Sequence, residues 1–173
     1  VNAEGRAFGF SVAALPDLDG NGRPELAVGA IGTGPSLQGA VFVCDLNADG
    51  TAATQRKINK DQVSSINDGN YFGSSVAFLP DIDGNGRPEL VAGAWAHDSS
   101  RGAAWIVGLD ADGSASSVIK EISNDDTAIS LDGGDNFGSS ATYLDSQDGR
   151  MNLAVGARRD DDGGSNRGAF YLI

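Results

Sequence analysis

The sequence predicts an all-β protein: three copies of a unit of four short antiparallel strands, set as blades of a β-propeller. Three observations carry this. One word recurs, FGFSVAALPDLDGNGRPELAVGA at residues 8–30, FGSSVAFLPDIDGNGRPELVAGA at 72–94 and, worn, FGSSATYLDSQDGRMNLAVGA at 137–157. Its Phe-Gly pairs start at 8, 72 and 137, a near-constant period, and fixed-period self-similarity marks a repeat architecture. No segment sustains a helical periodicity, and the 25 glycines among 173 residues suit many tight turns rather than long helices.

The elements follow in order. Residues 1–7 are a polar lead-in. Residues 8–15 alternate, with Phe10, Val12 and Ala14 on one face, as a half-buried strand requires. A carboxylate-rich loop spans 17–25, and a small-residue strand spans 26–30, with Gly29 where a neighbouring backbone comes close. After a Gly/Pro/Ser loop (31–38), the apolar strand 40–46 ends in the hairpin turn Asn47-Ala48-Asp49-Gly50. A more polar edge strand, 51–58, completes the unit. The second unit repeats this with strands at 72–79, 90–94, 103–109 and 116–122. The third has its third strand at 169–173, where the chain stops, so the units 8–71, 72–136 and 137–173 form one domain whose last blade lacks a fourth strand. Residues 1–7 are too short to replace it.

Propellers close with about four to eight blades. Three blades therefore leave apolar flanks exposed, and either further blades lie outside this chain or two chains pair as a six-bladed homodimer.

Formal net charge is -12, from 24 acidic and 12 basic residues. No basic stripe exists to meet a phosphate backbone, which argues against nucleic acid. Cys44 is the single cysteine, so no internal disulfide forms, and its apolar neighbours read as a buried, inert thiol. No apolar run is long enough to span a membrane as a helix. The sequence opens without an initiator Met or a signal peptide, which reads as a processed or excised product.

The acids are not scattered. Asp17, Asp19, Asn21 and Glu25 offer side-chain oxygens at positions 1, 3, 5 and 9 of a loop, and Arg23 a backbone carbonyl at position 7. Asp81, Asp83, Asn85, Arg87 and Glu89 match them position for position. Alternate donors converging on one point, with glycines to let the backbone curl, suit a hard cation that takes six to eight oxygens. Calcium fits better than magnesium, because a flexible loop imposes no small octahedron; without His or Cys, zinc and copper are poor fits. An EF-hand is excluded, since Val28 and Ala92 stand at the twelfth position and the flanks read as strands. Two calcium sites are expected. In the third copy only Asp145, Asp148 and Asn152 remain as donors, and no tight site is expected there. Asp45-x-Asn47-x-Asp49-Gly50 reads as a plain hairpin turn, because Ala53 replaces the ninth-position donor.

These residues resemble the FG-GAP repeats of integrin α-chain propellers and their bacterial relatives. Phe72-Gly73 matches the FG element, Gly93-Ala94 the start of GAP, and residues 81–89 the calcium loop between them. The Pro of GAP is replaced by Ile31, Trp95 and Arg158, and the ninth-position acid is Glu rather than the commoner Asp. The family usually has seven repeats, against three here. The resemblance implies an extracellular or cell-surface, calcium-stabilised propeller used in adhesion and recognition. Some relatives bind glycans and a few adjoin hydrolytic domains.

Hairpin connectivity puts the calcium loops and the Asp-Gly turns at one end of each blade and the variable loops at the other. Variable loops on a repeated scaffold are where binding is usually grafted. Trp95, His97, Asp98 and Arg101 form the candidate ligand face, an aromatic beside polar donors that suits a sugar or a protein anchor. The competing reading is that Trp95 fills the gap between blades, that His97 is a solvated loop residue and that residues 158–162 are a solvated charge run. No Ser-His-Asp or Cys-His pairing is apparent, so the expected function is a non-enzymatic recognition or adhesion module. A lectin-like glycan binder and an accessory domain of a secreted hydrolase are the alternatives.

Overall fold

The computed structural model describes residues 6–126, 129–145 and 151–173. They form three antiparallel sheets in chain order. The first contains β1 (Phe8–Leu15), β2 (Glu25–Ala30), β3 (Ala40–Leu46) and β4 (Ala52–Ile58), hydrogen-bonded as β1-β2-β3-β4. The second contains β5 (Val76–Leu79), β6 (Glu89–Ala94), β7 (Ala103–Leu109) and β8 (Ala115–Ile122) in the same order. The third has three strands, β9 (Phe137–Asp145), β10 (Met151–Ala157) and β11 (Ala169–Leu172), with β10 central. Sequential four-stranded meanders are propeller blades, and the described residues do not close into a barrel.

The blades stack through two apolar layers. One joins Leu15, Ala27, Val41 and Val43 of the first sheet to Val76, Leu90, Trp105 and Val107 of the second. The other joins Ala77, Val91 and Ile106 of the second sheet to Leu153, Val155 and Phe137 of the third. Successive residues of a strand face opposite sides; a central blade buried on both faces must therefore be apolar throughout, and β6 and β7 are buried at every position. In the outer sheets β1 and β9 keep an alternating pattern, while the first sheet holds a further apolar cluster of its own, Val28, Ala30, Ala40, Phe42 and Cys44, with Phe8 and Leu26 packed against it.

One strand differs from expectation. The sequence reads a strand from residue 72, but β5 starts at Val76. Gly73 adopts φ +86°, and its N–H and that of Ser74 both donate to Gly93 O (2.9 and 3.1 Å), a local bulge. Phe72 N–H turns instead to Gln38 O of the first blade at 2.8 Å, and a parallel bridge joins Phe72 to Gly39. Phe137 repeats this, donating to Arg101 O at 2.8 Å and bridging Gly102. Each Phe-Gly thus crosses from one blade to the next. Gly29 shows the close approach its residue type suggests: a Cβ there would lie 2.0 Å from Gly73 O.

Candidate metal centres

The loop between β1 and β2 is shaped by its own first side chain. Asp17 Oδ1 accepts the N–H groups of Gly20 (2.8 Å) and Asn21 (3.1 Å), and Oδ2 accepts that of Gly22 (2.8 Å). Asp19 accepts from the Asn21 backbone and amide (2.9 and 2.8 Å), and Asn21 Oδ1 accepts the Arg23 N–H (2.9 Å). Gly20 and Gly22 sit at φ +79° and +84°, which lets the chain wind around the carboxylates. The β5–β6 loop is a copy: Asp81 takes Gly84, Asn85 and Gly86 (2.7, 3.0 and 2.8 Å), Asp83 takes Asn85, and Asn85 takes Arg87 (2.8 Å).

Glu25 and Glu89 open β2 and β6, which brings their side chains back under the loops. Each carboxylate is buried and uses one oxygen on the loop backbone: Glu25 Oε2 accepts Leu18 N–H (2.7 Å) and Glu89 Oε2 accepts Ile82 N–H (3.0 Å). The other oxygen, Oε1 in both, is buried without a hydrogen-bond partner. Leaving a buried acceptor unpaired costs about 1–3 kcal/mol, more for a charged group, so the same cost borne at both copies marks a built feature. One carboxylate oxygen from each of Asp17, Asp19 and Glu25 lies within 4.8 Å of the others, and the same holds for Asp81, Asp83 and Glu89. Two oxygens bound to one calcium ion at about 2.3–2.6 Å can be no more than about 5 Å apart. The donor set is all oxygen, the spacing fits, and the orphaned oxygens lack the partner a cation would supply.

The electrostatics agree. Burial, then the neighbouring charges Asp19, Asp17 and Asp45, pushes Glu25 above the usual carboxylate range. Burial, and then Asp83 and Asp81, raises Glu89 against the Ile82 hydrogen bond. The exposed Asp17 and Asp81 move the other way, held down chiefly by the N–H groups of Gly22 and Gly86. Each loop thus pairs two opposed effects, open carboxylates that ionise readily and a buried one that resists.

Asp145 ends β9 and Asn152 lies in β10 opposite Leu144, while Asp148 lies outside the described residues. The turn at residues 47–50 is a hairpin turn closed by Asn47 N–H to Thr51 O (2.7 Å), with Asp49 accepting from Thr51. Its counterpart in the second blade packs against Leu18 and Val43 at Gly113, and Arg56 pairs with Asp112 at 3.1 Å. A third acidic group, exposed Asp132, Asp161 and Asp162, has no orphaned buried oxygen among its members.

The four residues of the candidate ligand face do not converge as one surface. Trp95 stacks on Tyr71 (4.8 Å between rings, 7° between planes), and the Arg158 guanidinium lies over its ring at 5.0 Å. Tyr71 precedes the second blade and Arg158 follows β10, so Trp95 bridges three blades, as the gap-filling reading anticipated. His97 is not a solvated loop residue. Its Nδ1 is 3.0 Å from Asn70 Oδ1, its Nε2 is 3.4 Å from Glu121, and its ring meets Trp105 edge-on. Asp98 pairs with Arg101 (2.9 Å), whose Nε donates to Leu131 O (3.2 Å). His97, Asp98 and Arg101 do line one small cleft with Ser123, Asn124 and Asp125, from which Trp95 is absent. Nor is the 158–162 run fully solvated: Asp160 is buried and accepts the Tyr171 hydroxyl at 2.8 Å. Sequence reasoning missed Tyr71, Asn70 and Glu121 because their partners Trp95 and His97 are 24–27 residues away; an aromatic just before Phe72-Gly73 was the one available signal.

Comparison with known proteins adds a family. Residues 8–44 and 72–107 match the FG-GAP repeat model. Among curated relatives, integrin alpha-5 of Xenopus laevis is 36% identical over 93 residues, 54% of this chain and 9% of that protein. Integrin alpha pat-2 of Caenorhabditis briggsae is 40% identical over 90 residues, 51% of this chain and 7% of its own length. Integrin alpha-PS2 of Drosophila melanogaster is 32% identical over 137 residues, covering 75% of this chain and 10% of itself. The chain spans a tenth or less of these relatives.

Proposed function

The chain carries FG-GAP repeats of the integrin α type, and from that premise we propose that it is a calcium-stabilised recognition or adhesion module, without catalysis, working outside the cell or at its surface. Two calcium ions belong to it. One is held by Asp17, Asp19, Asn21, Glu25 and the Arg23 carbonyl, the other by Asp81, Asp83, Asn85, Glu89 and the Arg87 carbonyl. The observation that carries this is the orphaned, buried Oε1 of Glu25 and of Glu89 at the base of a three-carboxylate loop. A bound cation supplies the missing partner and offsets the repulsion among three carboxylates.

The chain's own residues explain why the ion is structural. Glu25 and Glu89 are the first residues of β2 and β6, so the ion ties each loop to the central strands. Leu18, at the tip of the first loop, packs in the layer between the first two blades. Recognition is then left to the opposite end, where Tyr71, Trp95 and Arg158 brace the variable loops. Trp95 is engaged by both neighbours, which favours a protein surface over a sugar-stacking platform. Thermal melts with calcium and with excess chelator test the reading: calcium raises the melting temperature by several degrees, and an identical melt in chelator overturns it.

A further inference from the structure

We infer that Asn21 and Asn85 are sites of self-deamidation: each carboxylate loop is arranged to convert its own asparagine to aspartate or isoaspartate. Asn21-Gly22 and Asn85-Gly86 are the two Asn-Gly dipeptides of the chain, and both fall at the fifth and sixth positions of the loops. Asparagine loses its amide when the backbone nitrogen of the next residue attacks its side-chain carbonyl carbon, and a glycine, without a Cβ, leaves that nitrogen unshielded. All four residues are exposed. Nothing lies within 4 Å of the Cβ position of Gly22 or of Gly86, so no neighbour crowds the ring that the attack closes.

The step has three requirements, and the hydrogen bonds of both loops meet them. The attacking nitrogen must give up its proton. Asp17 Oδ2 accepts the Gly22 N–H at 2.8 Å and Asp81 Oδ2 accepts that of Gly86 at 2.8 Å, within the reach of a proton acceptor. The carbonyl under attack must be polarised. Asn21 Oδ1 accepts the Arg23 N–H at 2.9 Å and Asn85 Oδ1 accepts the Arg87 N–H at 2.8 Å, a bond that also folds each side chain back along its own backbone. The departing amide must be held. Asn21 Nδ2 donates to Asp19 Oδ2 at 2.8 Å, and Asn85 Nδ2 donates to Asp83 Oδ2 at 3.1 Å. Fixing reacting groups together in this way is itself a source of rate.

The chemistry needs only water. As Gly22 N bonds to Cγ of Asn21, the Cγ–Nδ2 bond breaks and Nδ2 leaves as ammonia with the proton drawn from Gly22. One water then opens the five-membered imide. Cleavage of the new N–Cγ bond gives aspartate; cleavage at the backbone carbonyl carbon gives isoaspartate. Aspartate adds a fourth carboxylate to the donor set, whereas isoaspartate lengthens the main chain by a methylene and displaces the Arg23 carbonyl that follows. Calcium opposes the step, because it takes Asp17 as a ligand and fixes the Asn21 carbonyl on the ion. A loop left without its ion is then covalently marked. That protection rests on the two-ion reading proposed above; the conversion itself rests only on the loop hydrogen bonds.

Peptide mass mapping of the full chain, held at neutral pH in chelator or in calcium, tests this, with isoaspartate labelled by its specific methyltransferase. In chelator both asparagines exchange amide for acid, and calcium slows them about tenfold or more. In chelator, Asp17→Asn slows Asn21 by about tenfold or more while Asn85 of the same molecule keeps its wild-type rate, and Asp81→Asn does the reverse. Each loop is thus the control for the other, since a variant that unfolded would change both. Asparagines that stay intact in chelator, over a period in which the urea-unfolded chain converts them, overturn the inference. So does conversion that Asp17→Asn and Asp81→Asn leave unchanged, or accelerate as a merely loosened loop would. Conversion that obeys these variants but is not slowed by saturating calcium upholds self-deamidation and counts against the two-ion reading. Calorimetric calcium binding with both amides intact in chelator strikes the inference alone.

Discussion

Replacing Glu89 by Gln should change the sign of its effect according to whether calcium is present. Glu89 is fully buried, accepts Ile82 N–H on Oε2 at 3.0 Å and leaves Oε1 unpartnered, and one of its carboxylate oxygens lies within 4.8 Å of one from each of Asp81 and Asp83. Gln has nearly the same shape. Its carbonyl oxygen can keep the Ile82 bond, and its NH2 then faces the two aspartates as a donor. In chelator the substitution removes a buried, unsatisfied and repelled charge, a gain of about 1–3 kcal/mol, or roughly 3–9 °C in melting temperature for a chain this long. In calcium it removes a charged ligand. An ion at 100 times its dissociation constant stabilises by about 2.7 kcal/mol, and most of that contribution from this site is lost. Differential scanning calorimetry in the two buffers should therefore show the curves cross: Glu89→Gln above wild type in chelator and below it in calcium. Glu25→Gln should behave alike. A variant that shifts the melt equally in both buffers would refute the argument that Oε1 awaits a cation.

Three other outcomes follow. In chelator, acidification from neutral pH should stabilise the wild type. Glu25 and Glu89 have folded pKa values raised above the ordinary 4.5, so the folded state binds the proton first and the burial penalty is relieved as pH falls through the raised values. Below 3.8 the trend reverses as Asp17 and Asp81, whose pKa values are lowered, lose their loop hydrogen bonds; chemical denaturation across pH reads both limbs, and the Glu25→Gln, Glu89→Gln double variant should keep only the part of the first that Asp135, also raised by burial, supplies. Gly93→Ala should destabilise by about 3 kcal/mol or more, because its Cβ would sit 2.0 Å from the Gly138 backbone, which cannot swing aside. Trp95→Ala should cost about 1–3 kcal/mol through lost stacking on Tyr71 and Arg158 while leaving calcium affinity unchanged, since the loops lie at the other end of the blades.

Local chemistry explains which parts the sequence made legible. The strands Phe8–Leu15, Ala40–Leu46 and Ala103–Leu109 have their expected bounds because alternation or an apolar run, closed by an Asp/Asn-Gly turn, is a local signal. The loops were legible as donor patterns, since ligand spacing is written in consecutive residues. What they did not disclose was the burial of Glu25 and Glu89, which depends on β2 and β6 being central strands. The start of β5 was misread because Phe72 donates to the preceding blade, a contact 34 residues back to Gln38. His97 and Trp95 were hard to place because their partners are distant in sequence: Glu121 reaches His97 from β8 of the same blade, while Asn70, Tyr71 and Arg158 come from segments before and after that blade. Repeats announce their blades in one dimension and their junctions only in three.

The most direct measurement is a calorimetric calcium titration of the chelator-stripped chain beside its Glu25→Gln and Glu89→Gln variants. Two ions per chain, with one site weakened by each substitution, is the predicted result; no saturable binding, or binding untouched by both substitutions, would contradict the account.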